Sequence, residues 1–179
     1  MDLPNLFSSN SDKKDQLMVI FIHLTDIKIQ SFLLSISNEG IEIIEKSKIS
    51  SYEGPGNYLI RADESLQELG KKSESVNSVI FGLNNSWVSK GEVVKEQKPL
   101  LKKLTDELSL EPMGFIVISE AIVQQKISNN SMFSGIISVL SKGHLTLSLV
   151  HQGKIRSVES VGRSSDGKGD FLEGLARFS

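Results

Sequence analysis

The side chains in this sequence most ready for proton transfer or metal binding are His23, His144 and His151, and none stands at ligand spacing from another on one element. Cysteine is absent, which excludes disulfides, thiolate zinc sites and thiol nucleophiles and fits a reducing compartment, so a cytoplasmic location is expected. Serines are scattered through the chain, but no Gly-x-Ser-x-Gly elbow presents one as a nucleophile. The stretch GRSSDGKGD, residues 162–170, has glycines and a lysine without Walker spacing or a preceding buried strand, and predicts a flexible linker. Asp26 falls in a turn, where Asp ordinarily serves turn chemistry, and Glu120 falls at a helix start, where the helix dipole favours a negative charge.

Bulk properties narrow the classes further. The 179 residues, 39% hydrophobic and 23% charged, suit one globular domain or two small lobes. A net charge of -2 with dispersed lysines lacks the footprint of a nucleic-acid binder. The longest apolar run, Leu17 to Leu24, is far short of the roughly 20 residues needed to span a bilayer, so no direct membrane span is expected. Residues 1–16 are polar, carry Pro, Ser, Asn and Asp, and predict a flexible arm.

From Met18 the runs MVIFIHL, KIQSFLLSIS and GIEIIEKSKIS predict three strands joined by hairpin turns at Thr25-Asp26 and Asn38-Glu39-Gly40. Gly54-Pro55-Gly56 then marks a loop, and Ala62 to Lys72 predicts a helix with acids in its first turn and lysines in its last. Ser78 to Leu83 is a continuous apolar run of the kind covered on both faces. Pro99 opens a second helix whose apolar stripe is Leu100, Leu101, Leu104 and Leu108. Pro112 ends it. Gly114 to Ile118 predicts another buried strand, and Ser119 the cap of a third helix beginning at Glu120. Between Leu83 and Pro99 there is room for a short excursion only, and its lone Trp87 is expected to cover the domain's own core.

Residues 135–161 then repeat the plan of residues 18–50. Gly135 to Leu140 starts a strand, His144 to Val150 alternates with Leu145, Leu147 and Leu149 on one face, Gln152-Gly153 turns the chain, and Lys154 to Val161 returns. A last helix is expected over Asp170 to Phe178, with Phe171, Leu172 and Leu175 on one face.

Three antiparallel strands, alternating helices and strands, and a restart together resemble the duplicated, ribonuclease-H-like fold of the actin, chaperone and sugar-kinase superfamily, nearest to bacterial actin-like proteins of pilus assembly and cell division. The resemblance covers roughly residues 18–178 and rests on VIFGL at 79–83, ELSLEPMGFIVISEAIV at 107–123 and LTLSLVHQGKI at 145–155. It implies an α/β actin-type fold with a mixed five-stranded sheet flanked by helices: a first subdomain over 17–130, then a three-stranded start of a second unit and a C-terminal helix over 131–179.

In that family an Asp-x-Gly turn after the first strand brings a carboxylate to magnesium and backbone N–H groups to phosphate. Here His23 and Thr25 occupy those positions, and in the second unit they are Val139 and Ser141, with Gly143 two residues on. The resemblance therefore places candidate cofactor contacts at Thr25, Asp26, Glu120, Ser141 and Gly143, with ATP and magnesium as the cofactor it implies. It also points to protein partners, including envelope-associated assembly machinery at the inner membrane. A third reading is a homodimer in which the incomplete second unit pairs its open sheet edge with a neighbour. The altered turns favour a non-catalytic or weakly nucleotide-binding scaffold. The alternative is an ATP-dependent phosphotransferase or ATPase fragment missing its second lobe.

Overall fold

The structure, a computed structural model, describes residues 16–25, 27–140, 144–162 and 167–178. The expected arm up to residue 15, the candidate residues Asp26, Ser141 and Gly143, and positions 163–166 of the glycine-rich stretch lie outside the described residues.

Alternating β-branched and polar residues form the first three strands, β1 (Leu17–Leu24), β2 (Lys28–Ser37) and β3 (Gly40–Lys46), as an antiparallel meander. The short β4 (Ser50–Ser51) returns to β2, and α1 (Gly54–Gln67) follows at once. This helix starts eight residues before the expected Ala62. A proline in the first turn lacks only an N–H that would have had no intrahelical acceptor, so Gly54-Pro55-Gly56 opens the helix instead of forming a loop. Its end also comes earlier than expected, and the lysine pair 71–72 lies in a separate 3-10 turn.

Next come β5 (Ser78–Leu83), a small hairpin of β6 (Val88–Ser89) and β7 (Glu92–Val93), and α2 (Lys98–Glu107). The following strand, β8, runs Glu111–Val117 and takes Pro112 into its length. It was expected to be covered on both faces. Instead it is the outer strand of the sheet, and Met113 and Ile116 are exposed at 46% and 43%. An edge strand tolerates proline because its outward N–H has no ladder partner. The path β3-β2-β1-β5-β8 is antiparallel on one side of β1 and parallel on the other, which is the expected mixed five-stranded sheet, with β4 as an extra pairing on β2.

Helices α1 and α2 cover one face of this sheet. Ile20, Ile22, Leu24, Leu33, Phe81 and Leu83 meet Tyr58, Ala62 and Leu104 there, and the buried Trp87 closes the same core, as its sequence setting suggested. A chain of buried hydroxyls ties α1 to the meander: Ser65 Oγ donates to Ser31 Oγ (2.6 Å) and lies 2.9 Å from Ser47 Oγ, which accepts the Ser31 N–H. Because each hydroxyl has a partner, burying three serines costs little.

Helix α3 (Ile118–Asn129) leaves β8 without a break, so Val117 is the N-cap and Ser119 sits one residue inside the helix, not at its cap as expected. The second sheet, in the order β11-β10-β9, consists of β9 (Gly135–Leu140), β10 (His144–His151) and β11 (Lys154–Gly162). Helix α4 (Gly167–Ala176) packs on β10 and β11, and it begins three residues before the expected Asp170, within the stretch read as linker. The leucine alternation along β10 does not separate a buried face from an exposed one: Thr146 and Ser148 are buried as well as Leu145 and Leu147, because both faces of the strand turn inward.

Candidate functional site

The turns after β1 and β5 and the passage from β8 into α3 lie at the C-terminal ends of the parallel-paired strands of the first sheet. At the end of β1, Thr25 closes the hairpin on itself. Its Oγ1 accepts the Lys28 N–H at 2.9 Å and the Ile27 N–H at 3.4 Å, and donates to the Lys28 carbonyl at 3.2 Å. Its own N–H donates to the same carbonyl at 2.9 Å, and the Tyr52 hydroxyl donates to the Thr25 carbonyl. Both N–H donors after Asp26 are thereby satisfied within the turn. The described part of this turn therefore does not fit a phosphate, which needs such donors free.

His23 lies two residues earlier in β1, across from Gln30 and beside Gly82. It is half-buried, and burial holds its imidazole below the ordinary value of 6.5. Between that value and the lower folded one the unfolded chain binds more protons, so stability is complete above about pH 6.5 and falls as the pH drops through the folded value. The melting temperature is expected to decline in that window and to level off below it. His23→Gln, measured by circular dichroism across the same pH range, should remove that component; an unchanged profile would refute the assignment.

A second cluster lies where β5, α3 and the second sheet meet. Asn84, Asn85 and Ser86 after β5, Ile118 and Ser119 of α3, Val139 of β9 and Thr146 of β10 enclose a cavity of about 30 Å³. Ser119 is 5% exposed, and its Oγ has no hydrogen-bond partner. A void of this size holds a water molecule or two, and one water bridging Ser119 to a neighbouring amide or hydroxyl would satisfy it. Ligand pockets are typically at least ten times larger.

Glu120 is exposed in the first turn of α3, next to Ser119 but outside the residues lining the cavity. Of the five sequence-derived candidates, Thr25 and Glu120 are described. They stand at the ends of β1 and β8, strands that β5 separates in the sheet. No sequence motif marks Asn84, Ser86 or Thr146, and the helix start at Ile118-Ser119-Glu120 marks Ser119 only as a cap.

The meander, the two parallel strands beyond β1, and a second meander resting against α3 decide the comparison with solved structures. The fold is actin-like. A Bacteroides thetaiotaomicron protein described as having an actin-like ATPase fold and unknown function superposes with a TM-score of 0.57 at 9% identity, over 90% of this chain and 75% of that one. An exopolyphosphatase from Cytophaga hutchinsonii gives 0.53 at 12%, over 88% and 53%. The Aquifex aeolicus PPX-GPPA enzyme gives 0.52 at 12%, over 91% and 60%. The chain thus spans little more than half the length of the latter two. At such identities the likeness establishes the actin-like fold alone. No family model and no curated protein sequence matches the chain. Among the described residues no helix is long and apolar enough to cross a membrane.

Proposed function

We propose that this chain is a non-catalytic, at most weakly nucleotide-binding, actin-like scaffold that works through protein contacts. The observation that carries the reading is the turn after β1, whose Ile27 and Lys28 N–H groups are consumed by Thr25 Oγ1. With them engaged, the turn offers an incoming phosphate no free backbone donor at those positions, and the carboxylate and glycine positions hold His23 and Thr25. Assembly of a pilus, of the division apparatus or of another envelope-associated machine is the setting proposed. The chain would lie in the cytoplasm and reach the inner membrane through partners.

One observation favours a second reading, an ATPase or phosphotransferase fragment related in chemistry to the exopolyphosphatase and PPX-GPPA neighbours. It is the unpartnered Ser119 hydroxyl next to Glu120 at the positive end of α3. Calorimetric titration with Mg-ATP separates the two. The scaffold reading expects no micromolar heat signal from the wild-type chain. Micromolar binding that disappears in Glu120→Ala would overturn it in favour of the second.

A further inference from the structure

Helix α3 starts without a side-chain cap. Val117 holds the N-cap position and carries no side-chain oxygen, so the first-turn N–H groups of this 12-residue helix gain no acceptor from it. The cavity of about 30 Å³ abuts that turn, because Ile118 and Ser119 are the first two residues of α3 and both line it. The Ser119 hydroxyl is an independent sign of an occupant: the residue is 5% exposed and its Oγ has no hydrogen-bond partner. Leaving such a group buried and unsatisfied is costly.

The other described lining residues are Asn84, Asn85 and Ser86 from the turn after β5, Val139 of β9 and Thr146 of β10, with neither a carboxylate nor a cation among them. Size and polarity select what fits. A volume of about 30 Å³ takes one or two bodies the size of water and excludes organic ligands and the four oxygens of a tetrahedral oxyanion. The N-terminus of a helix carries a partial positive charge, and its N–H groups, like amide and hydroxyl groups, donate hydrogen bonds. A metal cation would meet that dipole with the wrong sign. Water would have to aim two hydrogens of its own among donors, whereas a monatomic anion accepts from every side.

We infer that this cavity is a binding site for a small monatomic anion, chloride being the abundant one, held by the Ser119 hydroxyl and the uncapped start of α3 together with polar groups of Asn84, Ser86 and Thr146. These residues come from the turn after β5, from α3 and from β10, so the bound ion ties the first sheet to the second. Glu120 is the neighbouring charge of like sign. It is exposed and outside the lining, where solvent and salt screen it. The inference goes beyond the scaffold reading and does not depend on it, since that reading concerns the turn after β1.

Thermal melts at constant ionic strength, with sodium gluconate replaced stepwise by sodium chloride, test it. Gluconate is too large to enter the cavity, and an ion that binds only the folded chain raises its stability with the logarithm of concentration. The wild-type melting temperature is expected to be roughly 5 °C higher in chloride than in gluconate. Ser119→Ala and the nearly isosteric Thr146→Val should each lose most of that difference, whatever their own stability. On the wild-type chain alone, the chloride NMR resonance should broaden in the presence of the protein, and inorganic phosphate should not reverse the broadening. Equal melting temperatures in the two salts, with no broadening, would leave the cavity to water and overturn the inference. A salt difference that survives both substitutions overturns it by placing the ion elsewhere, and broadening that phosphate removes overturns it by showing a site for tetrahedral anions.

Discussion

Trp87→Ala is expected to lower the melting temperature by roughly 10 °C, corresponding to a loss of about 3–5 kcal/mol. Trp87 is 2% exposed and heads the fully buried side chains by volume. It enters the core from the turn after β5, where its N–H donates to the Asn84 carbonyl at 3.0 Å and its carbonyl accepts the Val94 N–H at 2.9 Å. Truncation removes the indole from among Leu83, Leu104 and their neighbours, in a core whose backbone is held by the sheet and cannot collapse into the space. Trp87→Phe keeps an aromatic ring in the site and should lose less than half as much. Thermal melts by circular dichroism compare the two. A drop of only a few degrees for the alanine variant would show that the β6–β7 excursion, not the indole, holds this corner together.

The second large effect is expected at Gly153. The turn from β10 to β11 has two central residues with positive φ, Gln152 at 48° and Gly153 at 67°, the two-residue hairpin that matches the right-handed twist of its strands. A Cβ at Gly153 would fall on the carbonyl oxygen of Ser131 and 3.0 Å from its carbonyl carbon, both backbone atoms. Left-handed strain of about 1–2 kcal/mol therefore combines with a displacement of residues 131–134. That displacement breaks the Gly153 N–H bond to the Phe133 carbonyl (2.9 Å) and the Gln152 N–H bond to Ser134 Oγ (2.9 Å). Gly153→Ala should cost about 2–4 kcal/mol in all. Amide hydrogen exchange should locate the loss in β9, β10 and β11, leaving the β1–β5 protection nearly intact. At Gly40, by contrast, nothing lies within 4 Å of the added Cβ, so only the backbone term applies there. Equal losses at the two glycines would refute the steric part of the argument.

Much of the fold was legible because strand patterns carry their own period. β5 and β9 occupy the residues their apolar runs marked, and α2 shows the expected stripe, with Leu104 fully buried and Leu100, Leu101 and Leu108 packed beside it. The errors share one cause. Gly54-Pro55-Gly56 has breaker composition, yet a first helical turn demands nothing a proline lacks. Gly114 to Val117 has buried-strand composition, yet its place in the strand order left its outer side bare.

The candidate site was less legible. The loss of the acidic and glycine positions at His23 and Thr25 could be read directly. That Thr25 would use its hydroxyl to satisfy the following N–H groups depended on the backbone path of the turn. Ser119 looked like a cap; only the unbroken passage from β8 into α3 turned its hydroxyl inward to a cavity.

By itself, then, the sequence determined the succession of elements, their repeat, the actin-like topology they imply, and the absence of the usual phosphate-turn residues. These are properties of local period and residue type, which every conformation of the chain shares. The tertiary structure alone decided which strands are outermost and which hydroxyls find partners. Each of those depends on distances between segments remote in sequence, and hydrophobic periodicity carries no information about them.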